Sequence, residues 1–140
     1  MKEQFVPYEI ASELKQLGFN DECFGYYSNE YNLEIGLPEK YTDRCHGNQK
    51  EGTYRRIGFI SAPLYQQAFD WFRNNFNLSC NIWSGKLNDI LFYGYDILDI
   101  QEQVRIIDNS GNGGGDCDYN TYEDARIECL KKLIEVVKSR

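Results

Sequence analysis

Residues 61–83 read SAPLYQQAFDWFRNNFNLSCNIW, and a helix start, an amphipathic helix and a strand follow one another within them. Ser61 is a good N-cap, because its hydroxyl can accept from an unpaired N–H of the first turn. Pro63 then falls near the first helical position, where a missing N–H costs nothing and a fixed φ suits a helix. Leu64, Ala68, Trp71 and Phe72, with Phe76 beyond them, recur at three- and four-residue steps and make one wide apolar stripe. Gln66, Gln67, Asp70, Arg73 and Asn74 fill the opposite face. Asn74, Asn75 and Asn77 are weak helix formers and bring the helix to a stop. Leu78, Cys80 and Ile82 then alternate with Ser79, Asn81 and Trp83, the two-residue period of a strand, which Ser84-Gly85 is expected to close.

Upstream, Pro7 suits the first turn of a helix that runs to about Leu17, with Tyr8, Ala11, Leu14 and Leu17 as its apolar line. Gly18 supplies the left-handed C-terminal position, and Phe19 follows as its hydrophobic clasp. Cys23–Tyr27 and Tyr31–Ile35 read as two short strands of a hairpin, set off by turn formers. Periodicity fails near 36–52, which is read as a long surface loop. Strand character returns from Tyr54 to Ile60.

Downstream, Asp89 to Ile97 and Gln103 to Ile107 are further strands, with Gly94 read as a bulge. The intervals between them are too short for helical crossovers, so the pattern is an antiparallel meander. A flexible glycine-rich loop follows at 109–119. Thr121 with Asp124 three residues on resembles a capping box, and Ala125, Cys129, Leu133 and Val137 lie four apart on the helix it opens. The expected fold is α+β in a single domain, 1–140. It has a mainly antiparallel sheet of four to six strands with about three helices on one face.

At 140 residues the chain can bury a sizeable core, and 41% hydrophobic with 15% aromatic residues argues against disorder. No apolar run reaches membrane-spanning length and no secretory signal opens the chain, so a soluble, cytoplasmic protein without membrane contact is expected. The net charge of −7 steers the chain away from phosphate backbones and makes nucleic acid an unfavoured partner. Five cysteines, an odd number with no CxxC pair, read as free thiols in a reducing compartment.

Three blocks carry a resemblance. They are Val6-Pro7-Tyr8-Glu9-Ile10-Ala11 through Leu14-Lys15-Gln16-Leu17-Gly18-Phe19 with Cys23-Phe24-Gly25-Tyr26, then Ala62-Pro63-Leu64-Tyr65-Gln66-Gln67-Ala68-Phe69-Asp70-Trp71-Phe72, then Thr121-Tyr122-Glu123-Asp124-Ala125-Arg126. Together they resemble small uncharacterised proteins encoded by phages, prophages and mobile elements of gut Bacteroidota. The resemblance implies a phage-type accessory protein acting in the host cytoplasm. It brings no catalytic residues with it.

No constellation of residues meets the requirements of a catalytic or metal site, and no cofactor is implied. Gly111–Gly115 lacks the Lys-Ser/Thr and the immediate helix of a phosphate cradle. The series Asp108, Ser110, Asn112, Gly113 and Asp116 imitates a calcium loop but would need Tyr119 as its bidentate ligand. Cys45-His46 has no second pair at zinc spacing, and neighbours in sequence are poorly placed to act as nucleophile and base. Arg55 and Arg56 beside Tyr54 are the polar feature of most interest. With Tyr26, Tyr27, Tyr31 and Trp83 they could clamp a small anionic, nucleotide-like ligand between rings and a guanidinium. The competing reading is plain packing of the tyrosines.

The expected function is therefore non-enzymatic binding, either inhibition of a host protein or sequestration of a nucleotide defence signal, in a possible homo-oligomer. A small nucleotide- or peptide-directed hydrolase, using two convergent carboxylates from Asp89, Asp96, Asp99, Asp108 and Asp116, is the alternative. A structural or assembly protein is the second.

Overall fold

The computed structural model describes residues 1–36, 60–108 and 119–140. The chain forms two compact units, Met1–Ala68 and Phe69–Arg140. The loops expected near 36–52 and at 109–119 lie outside the described residues, apart from Gly36 and Tyr119 at their ends.

In the first unit a short 3-10 turn, Lys2–Gln4, leads to helix α1, Tyr8–Gln16. Pro7 occupies the N-cap position with extended backbone, so the helix starts one residue later than its proline. The helix ends as its sequence requires. Gly18 takes φ +96°, its N–H donates to the Lys15 carbonyl at 3.1 Å, and Phe19 N–H donates to the Leu14 carbonyl at 2.9 Å. This is a Schellman closure, with its two apolar residues Leu14 and Phe19 both buried. Strands β1, Gly25–Asn29, and β2, Asn32–Ile35, form the expected hairpin around Glu30-Tyr31. Strand β3, Ile60–Ala62, pairs antiparallel with the other edge of β1 and packs against α1.

The reading of Ser61 as an N-cap is corrected here. Ser61 is a buried residue of β3, paired with Tyr26, and helix α2 begins only at Tyr65 and runs to Phe76. The reason lies in Pro63, whose ring disfavours helical backbone at the residue before it and holds Ala62 extended. The extended course continues to Leu64, which bridges Phe5, and the Pro63 carbonyl accepts the Val6 N–H at 2.9 Å. The apolar stripe itself is borne out: Ala68, Trp71 and Phe72 are buried and Phe76 half-buried. Asn77 ends the helix in the left-handed region, φ 56°.

In the second unit β4, Leu78–Leu87, β5, Ile90–Asp99, and β6, Val104–Asp108, form an antiparallel meander in the order β4-β5-β6. Strand β4 does not stop at Ser84-Gly85. It continues to a two-residue turn at Asn88-Asp89, whose φ values of 50° and 63° match the tight turn that suits twisted hairpin strands. Helix α3, Tyr122–Lys138, packs on β4 and β5, and its N-cap is the one expected, with Thr121 Oγ1 accepting the Asp124 N–H at 3.0 Å. Ala125, Cys129, Leu130 and Leu133 are buried beneath it.

The class is α+β, and the six strands among the described residues all pair antiparallel. They divide into two three-stranded sheets, order β2-β1-β3 and β4-β5-β6.

Candidate functional site

Tyr26 and Tyr27 lie next to each other on β1 and point to opposite faces. Both are buried and both phenols are engaged. Tyr26 donates its hydroxyl proton to Glu34 across the hairpin. Asn32 Nδ2 steadies that carboxylate at 3.2 Å and donates to Ser28 Oγ at 2.7 Å. Tyr27 donates to the Val6 carbonyl at 2.7 Å, with its ring edge-to-face on Tyr8. Burial raises the Tyr27 pKa above that of a free tyrosine, and Glu9 adds to the effect. Trp83 belongs to β4 in the second unit. Tyr54, Arg55 and Arg56 lie outside the described residues.

Trp83 is set by its cross-strand partner. It stands opposite Gly94, and a Cβ on that glycine would run into the indole ring. The same arrangement repeats two pairs along, where Phe92 stands opposite Gly85 and covers it. The two rings meet edge-to-face at 5.9 Å. Gly94 is thus no bulge: the β4–β5 register runs unbroken from Leu78↔Asp99 to Leu87↔Ile90. Each aromatic shields a glycine that would otherwise leave bare backbone. The indole Nε1 is buried and has no hydrogen-bond partner among the described residues.

Beyond this clasp the hairpin carries an apolar end. Leu87, Ile90 and Leu91 are 66%, 68% and 56% exposed around the Asn88-Asp89 turn. The register places Leu87, Gly85 and Trp83 on one sheet face with Ile90, Phe92 and Gly94. The opposite face holds Leu78, Cys80 and Ile82 with Tyr95 and Ile97 and is covered by α3. There Tyr95 stacks on Tyr119 at 6.1 Å, and burial, reinforced by Tyr119, pushes its hydroxyl pKa strongly upward. Periodicity alone did not reveal the apolar tip, because the sequence reading ended β4 before it. The dipeptide Asn88-Asp89, two residue types that tolerate the left-handed turn conformation, is the signal that could have found it.

Of the carboxylates suggested for a hydrolytic pair, Asp96 and Asp108 stand opposite each other in the β5–β6 register, whereas Asp89 and Asp99 are far apart. Asp89 sits in the exposed turn before β5 and Asp99 ends that strand, which is roughly 30 Å at strand rise. Asp99 is committed elsewhere: its Oδ1 accepts the Gln101 and Glu102 N–H groups, each at 3.0 Å, and its Oδ2 pairs with Arg140. The Glu102 N–H first, then Arg140, hold its carboxyl below the usual range. Among the described residues no group of three His, Cys, Asp or Glu side chains is arranged to hold a metal ion, and no helix is long and apolar enough to cross a membrane.

Comparison with family models, curated proteins and solved structures finds no match to the chain.

Proposed function

We propose that this is a non-enzymatic binding protein of the phage-accessory type, and that its partner is another protein engaged through the end of the β4–β5 hairpin. The observation that carries the reading is the exposure of Leu87 and Ile90, paired on one sheet face at a tight turn, with exposed Leu91 beside them on the other face. Single exposed aliphatic side chains are ordinary, whereas a contiguous group on a rigid projection marks a contact surface. The rigidity comes from the paired register and from the Trp83–Phe92 clasp behind the tip. Between the two binding modes, the geometry favours a protein over a nucleotide. The Tyr26 and Tyr27 rings are buried with their hydroxyls used, so they offer a base little stacking surface.

The test is capture from a lysate of the cell in which the protein acts, with wild type compared against Leu87→Ser/Ile90→Ser. A protein retained by the wild type and lost by the variant is the expected result. Equal retention by both, or native mass spectrometry showing a retained ligand of a few hundred daltons in place of a protein, would overturn the reading.

A further inference from the structure

We propose that Cys80 and Cys129 form an oxidisable dithiol site, which a small disulfide such as oxidised glutathione closes to a Cys80–Cys129 disulfide joining β4 to α3. The two cysteines are 49 positions apart in sequence, and neither belongs to a motif. The fold brings them together. Cys80 pairs in register with Ile97, so its side chain shares the face that α3 covers. Cys129 is fully buried on that helix, on the side that packs against β4 and β5, with Cys80 and Tyr95 among its neighbours. Both are reduced in this structure.

Their environments differ in a way that orders the chemistry. Strand β4 is an edge strand, and Cys80 is only half-buried. It is the thiol that a reagent in solution can reach. Its thiolate attacks one sulfur of the small disulfide, forming a Cys80 mixed disulfide and releasing one small thiolate. Cys129 then loses its proton and attacks the Cys80 sulfur, expelling the second small thiolate. The two protons given up by the cysteines end on the two released thiols, and the two electrons lost by the protein reduce the reagent. Burial holds the Cys129 thiol well above its ordinary pKa, so the second step is the slow one and accelerates with pH. Closing the bond to about 2.05 Å draws helix and edge strand together.

The experiment treats the reduced full-length protein with oxidised glutathione, quenches in acid, alkylates the remaining thiols and maps the peptides. The expected product is a peptide pair linked through Cys80 and Cys129, with a chain lighter by about 2 Da and restored by dithiothreitol. Its thermal midpoint should exceed that of the reduced chain. Cys129→Ala should instead trap glutathione on Cys80, because the second attack has no nucleophile. A wild-type chain that keeps glutathione on Cys80 would overturn the proposal. So would one that links Cys80 or Cys129 to another cysteine, or that leaves both thiols open to alkylation. The wild-type map decides the matter without any variant having to fold.

Discussion

At the scale of single residues, the most demanding positions are glycines that face an aromatic ring. Replacing Gly by Ala in a strand interior normally gains roughly 0.5–1 kcal/mol, because the glycine loses more freedom on folding. Gly94→Ala should do the opposite, since the new Cβ would enter space held by the Trp83 ring. Overpacking of that kind costs about 1–3 kcal/mol, and we expect a lower urea midpoint at unchanged slope. Gly85→Ala should behave likewise against Phe92. The double variant should cost less than the sum, because the two rings touch and one displacement relieves the other. A neutral or stabilising Gly94→Ala would show that the ring swings away freely. The same residues show where sequence reading reached its limit. Gly94 looks like a bulge while its own strand is read alone, and its role appears only once Trp83 is known to stand opposite. Gly18 was legible because the closure is local, with its own N–H on the Lys15 carbonyl and the next residue's N–H on that of Leu14.

Elements whose ends are written locally were readable for the same reason. The Thr121 cap and the α3 stripe need only neighbours three and four residues away, and both are as expected. Thr121→Ala should cost about 1 kcal/mol, seen as an earlier thermal transition, with Thr121→Ser largely neutral. Helix α2 was misplaced at its start because a favourable cap at Ser61 competed with long-range pairing of β3 and β1, and the pairing prevailed. The far end of α3 depends on an interaction that no local pattern announces. Arg140 reaches back to Asp99 at the end of β5, and the Asp99 carboxylate also closes the turn through Gln101 and Glu102. The folded pKa of Asp99 is depressed, so its contribution is fully present above the unfolded value near 3.8 and is lost as pH falls through the lower folded value. Asp99→Asn should therefore be less stable than wild type at neutral pH, and the gap in thermal midpoint should close as pH falls below about 4. A gap that stayed constant down to pH 2 would mean that the carboxylate's charge contributes nothing.

For the whole molecule the governing quantities are a net charge of −7 and an apolar projection on an acidic body. The charge was plain in the composition. The projection was not, because it exists only when two ten-residue strands are paired to their ends. Together they make opposite demands on a partner. Attraction to the body would be electrostatic and would weaken with salt, over a screening length of about 10 Å at 0.1 M and about 3 Å at 1 M. Docking on the tip would come from apolar burial, which added salt does not screen. If the tip carries the affinity, raising sodium chloride from 50 to 500 mM should leave Kd for the captured partner within about threefold. Leu87→Ser or Ile90→Ser alone should weaken it about tenfold or more, since full burial of such a side chain is worth about 1.5–3 kcal/mol and 1.4 kcal/mol is a factor of ten. Neither variant should shift the thermal midpoint appreciably, because both positions are largely exposed in the free chain. Titration calorimetry at the two salt concentrations separates the outcomes. A Kd that rises steeply with salt while the tip variants bind normally would place the partner on charged surface, and the hairpin would lose its assigned role.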